Sequence, residues 1–190
     1  LGLAGNYRDI EFLELKKALN LAIKNYDLVD LSLDYGIKYN LVDAILQLQP
    51  ESQKSDYILK VACNFAAEYD PRNLARKTTG IIERIGEHKI KFILSHRPSH
   101  GKISSDIEFF EIIKKSYPNI KFGICTNNKD LYKEYNKLIN IEVVQMALNP
   151  LDFASNWNFI EVLRKNATQV QARSILCNGL LSGKYSDKSK

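Results

Sequence analysis

Apolar positions along this chain recur with two periods that take turns. Short runs dense in branched and aromatic residues, at 28–33, 57–62, 91–95, 120–125, 141–147 and 169–174, have the length of buried strands. Between them, segments 9–24, 40–48, 70–85, 106–116, 129–138 and 156–165 space their apolar residues as helices do. In the first of these, Phe12, Leu15, Leu19, Ala22 and Ile23 share one face. Asn40 and Asp70 stand where helix caps belong, Pro71 at a first helical position, and Pro50 and Pro118 just past helix ends. Residues 1–4 fit the end of a further strand, and 186–190 form a polar tail. The chain reads as about seven strand–helix alternations in one domain over residues 1–185, with no internal repeat or linker.

Such alternation predicts a parallel sheet with helical crossovers, either open and doubly wound or rolled into a (β/α)8 barrel. An open dinucleotide-binding sheet wants G-x-G-x-x-G after its first strand, and that fingerprint is absent. The conspicuous polar residues lie instead at the C-terminal ends of successive strands, where barrel active sites are built. The predicted fold is therefore α/β, of the (β/α)8 TIM-barrel type.

Composition narrows the function. At 190 residues the chain can bury a real core. Its net charge of +5 comes from scattered Lys and Arg, which reads as a solvated surface and not a nucleic-acid face. Cys63, Cys125 and Cys177 form no C-x-x-C pair, so neither a zinc site nor a disulfide framework is expected. His88, His96 and His100 lack a ligand spacing, so no metal is expected. No apolar run approaches the roughly 20 residues that span a bilayer, and the N-terminus lacks a basic, apolar leader. The expected location is cytoplasmic, with no membrane partner.

Asp30 lies inside one apolar strand, with Tyr35 after its end, while Lys60 and His96 close the next two. Alone, each residue has an ordinary structural explanation: a turn former, a wall aromatic, a solvated lysine, a loop histidine. Together, in order on consecutive strands, they offer a joint chemistry. A tyrosine phenol is a poor acid at neutral pH, and a neighbouring ammonium stabilises its phenolate. A buried ammonium in turn needs a carboxylate partner. Asp30 would pair with Lys60, Lys60 would tune Tyr35, Tyr35 would give a proton to a carbonyl oxygen, and His96 would orient that carbonyl.

These residues carry a resemblance. Asp30-Leu31-Ser32-Leu33-Asp34-Tyr35-Gly36 resembles the D-T-A-x-x-Y-G motif of the aldo-keto reductases, with Leu31 and Ser32 in place of its Thr-Ala pair. Ile58-Leu59-Lys60-Val61 resembles that family's strand ending in T-K-V, and Phe92-Ile93-Leu94-Ser95-His96-Arg97-Pro98 its L-x-x-x-H-x-P strand. Phe122-Gly123-Ile124-Cys125-Thr126 is similar to I-G-V-S-N, which puts Cys125 and Thr126 where Ser and Asn touch the nicotinamide amide. Gln145 stands where the family's Gln binds the same amide. Residues 171–185 resemble Y-S-P-L-x-x-G-x-L-x-G-K-Y, the stretch that cradles the cofactor pyrophosphate. This places Arg173, where the family often has a stacking aromatic, together with Ser174 and Leu176, among the cofactor-binding residues. The likeness is to the bacterial type of the family.

The resemblance implies an NAD(P)H-dependent oxidoreductase that reduces an aldehyde or ketone to an alcohol. Tyr35 would be its proton donor, Lys60, Asp30 and His96 its other catalytic residues, and NADP its usual cofactor, with NAD as the alternative. It also implies a further helix, an eighth strand and a C-terminal helix, which these 190 residues do not include. The expectation is an incomplete barrel: a fragment, a natural truncation, or a barrel completed by a partner or by self-association through its open edges. The alternative function is a non-catalytic nucleotide-binding or scaffolding module. A different barrel enzyme, such as an isomerase, would leave the ordered Asp-Tyr-Lys-His set unexplained.

Overall fold

The computed structural model describes residues 11–33, 41–48, 54–61 and 70–183. The elements within them alternate as the periodicity predicts. Helix α1 (Phe12–Asn25) leads to strand β1 (Leu28–Ser32), and helix α2 (Leu41–Leu46) to β2 (Asp56–Val61). Helix α3 (Pro71–Ile85) precedes β3 (Ile90–Ser95), and α4 (Ile103–Ser116) precedes β4 (Lys121–Cys125). Helix α5 (Lys129–Leu138), strand β5 (Val143–Ala147), helix α6 (Phe153–Lys165) and strand β6 (Gln169–Arg173) follow, then a 3₁₀ segment, Cys177–Ser182. The strand expected at residues 1–4, the cap at Asn40 and the tail 186–190 lie outside the described residues.

Where the sequence carries a cap, the prediction and the structure agree. The Asp70 carboxylate accepts a hydrogen bond from the Arg72 amide at 3.0 Å, Pro71 opens α3, and Gly86, at φ +103°, ends it. Asn128 caps α5 through the amides of Asp130 and Leu131, at 2.9 and 3.0 Å. Where the cap is missing, the boundary moves. Helix α4 begins at Ile103 and not at 106, running straight out of a 3₁₀ turn, His100–Lys102, with no side-chain cap. Helix α6 begins at Phe153 and not at 156. Asp152 sits at its cap position, but its carboxylate accepts from Asn149 Nδ2 and the Asn149 amide instead.

All strands of the described sheet are parallel, in the order β1-β2-β3-β4-β5-β6. Strictly sequential order separates a barrel from a doubly wound sheet, whose order reverses at a switch point. The two strand faces have different neighbours. Val29, Leu31, Tyr57, Leu59, Ile93 and Phe122 join Leu15, Leu19, Ile82 and Phe109 of the helices in one core. Ile124, Val144 and Met146 do the same with Tyr132, Tyr135, Phe159 and Leu163. The opposite face gathers Ile58, Phe92, Leu94, Cys125 and Val143 in a cluster without helices, which is the barrel interior.

The sheet is strongly curled. Strands spaced about 4.8 Å apart would set β1 and β5 roughly 19 Å apart if the sheet were flat. Yet the side chains of Asp30 on β1 and Gln145 on β5 meet at 3.1 Å. The expected incomplete (β/α)8 barrel is the observed fold. Tight packing inside it shows at Gly123 on β4, where a Cβ would fall 2.2 Å from the Val143 carbonyl oxygen and 2.6 Å from Leu94 Cδ2. No described helix is long and apolar enough to cross a membrane.

Candidate active site

On β2, β3 and β5 the inner face turns from apolar to polar toward the C-terminal end. Ile58 precedes Lys60, Phe92 and Leu94 precede His96, and Val143 precedes Gln145. Period-two alternation sends these residues inward together. They converge because parallel strands in sequential order bring all their C-terminal ends to one mouth.

Lys60 is the hub. Its ammonium donates to Asp30 Oδ2 at 2.8 Å and to Gln145 Oε1 at 3.2 Å. Gln145 Nε2 closes the ring by donating to the same Asp30 oxygen at 3.1 Å. The Cys125 thiol donates to Gln145 Oε1 at 3.7 Å. The Lys60 side chain is 13% exposed and that of Asp30 30%, so the pair sits in a medium where attraction between charges is stronger than in water. Removing either partner would leave a half-buried charge without its counterion. Asp30 and Lys60 form the ion pair expected of them, and the structure adds Gln145 and Cys125 to it.

His96 extends the ladder beyond β3, its amide donating to the Val61 carbonyl at 2.7 Å. Its ring lies against β1, with Nδ1 3.3 Å from Ser32 Oγ. Below it, the Ser95 hydroxyl turns to the helix side and donates to Asp106 at 2.7 Å, and Tyr135 donates to the same oxygen at 2.6 Å. Asp106, read from the sequence as a helix start, is fully buried and ties β3 to α4 and α5. Tyr35 and Cys63 lie outside the described residues.

The remaining predicted residues divide. Thr126 is buried, but its hydroxyl accepts from the Asn128 amide at 2.9 Å and so shapes the turn into α5. Arg173 is exposed, and its guanidinium reaches Ser174 Oγ at 3.4 Å. Leu176 is exposed as well. Ser174, Cys177, Asn178, Gly179 and Gly183 all take positive φ, and within the loop after β6 the amides of Cys177 and Gly179 donate to the carbonyls of Ser174 and Leu176, both at 2.9 Å.

The sequence reading missed Gln171. It pairs with Gln145 in the β5–β6 register. Both polar atoms of its amide are buried, with no hydrogen-bond partner among the described residues, and the same holds for Asp30 Oδ1. Buried polar atoms are normally satisfied, so an unmet donor and acceptor beside Gln145 suit a carboxamide such as that of nicotinamide. Only the alternation along β6 could have pointed to it. Asn127 was also missed: its side chain bridges to Ala147 at the mouth, donating to the carbonyl at 2.7 Å and accepting from the amide at 2.9 Å. Among the described residues no cluster of His, Cys, Asp and Glu could hold a metal ion.

No protein-family model matches the sequence, and no curated protein matches it significantly. Solved structures do match. The fold is similar to that of aldo-keto reductase AKR11C1 from Bacillus halodurans, with a TM-score of 0.74 at 17% identity over 96% of this chain and 64% of that one. It is similar to glycerol dehydrogenase AKR11B4 from Gluconobacter oxydans, with a TM-score of 0.74 at 15% identity over 93% of this chain and 57% of that one. A third, aldo-keto reductase MGS-M4 from a deep-sea metagenome library, gives 0.70 at 15% identity over 96% of this chain and 66% of that one. The chain therefore spans less than two thirds of the length of these solved relatives. At such identities the likeness is one of fold, and the resemblance read from the motifs holds at that level.

Proposed function

We propose that this chain is an oxidoreductase of the aldo-keto reductase type, reducing an aldehyde or ketone with NADP, or NAD, as cofactor. The observation that carries the reading is the ring of Asp30, Lys60 and Gln145 on the inner mouth of a sheet with the aldo-keto reductase fold, with His96 on the adjoining strand. Gln145 and Gln171 would hold the nicotinamide amide, and the backbone of the loop after β6, with Arg173, Ser174 and Leu176, the pyrophosphate. Cys125 and Thr126 would border the ring. A bound dihydronicotinamide supplies the hydride.

The chain's own residues manage the proton and the position of the substrate. Tyr35 gives its phenolic proton to the carbonyl oxygen as negative charge develops there. The Lys60 ammonium, held in place by Asp30, stabilises the phenolate that remains. His96 donates a hydrogen bond to the same oxygen and fixes which face of the carbonyl is presented. A reducing cytoplasm is the compartment this reading implies. Neither membrane nor nucleic acid takes part, and the pairing of β6 on one side only, among the described residues, supports self-association through that edge.

The test has two stages. NADPH and NADH are titrated into the 190-residue chain while the fluorescence of Trp157, half exposed beside Phe153 on α6, is followed. Saturable quenching at micromolar cofactor is expected. Turnover of an aldehyde panel is then compared with that of Tyr35→Phe and Lys60→Met, each expected to fall by roughly a hundredfold or more. Equal rates in wild type and Tyr35→Phe would end the proposal. Saturable binding without turnover would favour the second reading, a nucleotide-binding module without catalysis. The exposed Arg173 in place of a stacking aromatic, and the Thr126 hydroxyl spent on a turn, support that second reading.

A further inference from the structure

We infer that Ser32 is a positioning residue that fixes the His96 ring in the tautomer carrying its proton on Nε2; its bearing on turnover rests on the proposed reductase function. Ser32 ends β1 and is 8% exposed. Its Oγ lies 3.3 Å from His96 Nδ1, across a sequence separation of 64 residues. The aldo-keto reductase motif that this segment resembles has an alanine here, which could make no such bond.

Two arrangements of the protons are possible for this pair. If Nδ1–H donated to Ser32 Oγ, the serine proton would have to find another acceptor. Among the described residues the Ser32 hydroxyl has no other partner than His96. A buried donor left unmade is costly, so this arrangement is disfavoured. If Oγ–H donates to Nδ1, the hydroxyl is satisfied and Nδ1 must be the unprotonated ring nitrogen. A neutral imidazole then carries its proton on Nε2 and acts there as a donor. That is the form a carbonyl-orienting histidine needs, since the carbonyl oxygen can only accept. The anchoring of the ring is completed from the backbone side, where the His96 amide is held to Val61.

The experiment is ¹⁵N NMR of the imidazole nitrogens at a pH where the ring is neutral, with His96 distinguished from His88 and His100 by the spectrum of His96→Gln. The wild type is expected to show a pyrrole-type Nε2 and a pyridine-type Nδ1 displaced by an accepted hydrogen bond. Ser32→Ala is expected to move the Nδ1 resonance to its unbonded position, and Ser32→Thr, which keeps the hydroxyl, to restore it. A wild-type ring protonated on Nδ1 would overturn the inference, as would an Nδ1 resonance unmoved by Ser32→Ala. Kinetics give an independent readout: Ser32→Ala should lower kcat about fivefold, the worth of one modest hydrogen bond, with cofactor affinity unchanged and Ser32→Thr near wild type. If the wild type reduces no carbonyl while the ring reads as Nε2–H, the reductase proposal fails and the tautomer assignment is supported.

Discussion

At the scale of single residues, the site depends on side chains that alternate inward and then find one another across the barrel. Asp30, Lys60 and His96 were legible because residue type and strand position coincide, and Gln145 only through the family resemblance. Gln171 was not, since a glutamine on a short strand has no distinguishing neighbour in the sequence. Tyr57 makes the same contrast on the outer face. It sits one residue before Ile58 and so points toward the helices, where it is buried in the core beside α1 and α3. Burial, with Asp56 adding to it, pushes its phenol up to about 12. The folded state therefore keeps the proton that the unfolded chain gives up near pH 10. Stability from this group is whole below pH 10 and is lost as the pH rises toward 12. Alkaline denaturation followed by circular dichroism should show this loss, of order 2 kcal/mol, and Tyr57→Phe should flatten the profile in that window.

At the scale of elements, β4 and β5 approach as closely as their side chains allow. Gly123 is the reason, since a Cβ there would meet the Val143 carbonyl oxygen at 2.2 Å and its Cγ1 at 2.4 Å. Backbone cannot give way as a flexible side-chain end does. Gly123→Ala should therefore force the two strands apart, lowering stability by about 3 kcal/mol in urea denaturation. Because Gln145 follows Val143 on the same face, cofactor affinity should fall with it. A variant as stable as wild type would show that the strands can separate freely. Element boundaries were legible where a side chain caps the helix, as at Asp70 and Asn128, and shifted where the cap is backbone alone, as at α4 and α6.

At the scale of the whole molecule, the inner face is lined on successive strands, but among the described residues β6 pairs with β5 alone. Its residues are correspondingly open, Ala172 and Arg173 both being exposed. Apolar side chains beside it, Ile175, Leu176, Leu180 and Leu181, are exposed too. An unpaired parallel edge flanked by apolar surface is a template for another strand. Analytical ultracentrifugation of the 190-residue chain should show association that grows with concentration. Ala172→Lys, which sets a charge on that edge, should return it to monomer. A wild type that stays monomeric at the highest concentrations reached would remove self-association from the reading.

The sequence by itself determined the alternation of strands and helices, the helices that carry their own caps, and the place of Asp30, Lys60 and His96 on consecutive strands. Those are local properties, written in periods of two and 3.6 residues and in single capping side chains. Only the tertiary structure decided which atoms meet. Gln145 reaches Asp30 over 115 residues because the sheet curls, and Ser32 reaches His96 over 64 because β1 and β3 flank β2 with their inner faces turned together. Asp106 became a buried anchor for Ser95 and Tyr135 because α4 starts early enough to bring it under the strand. Curvature, register and burial arise from the packing of all the elements at once, and no window of sequence contains them.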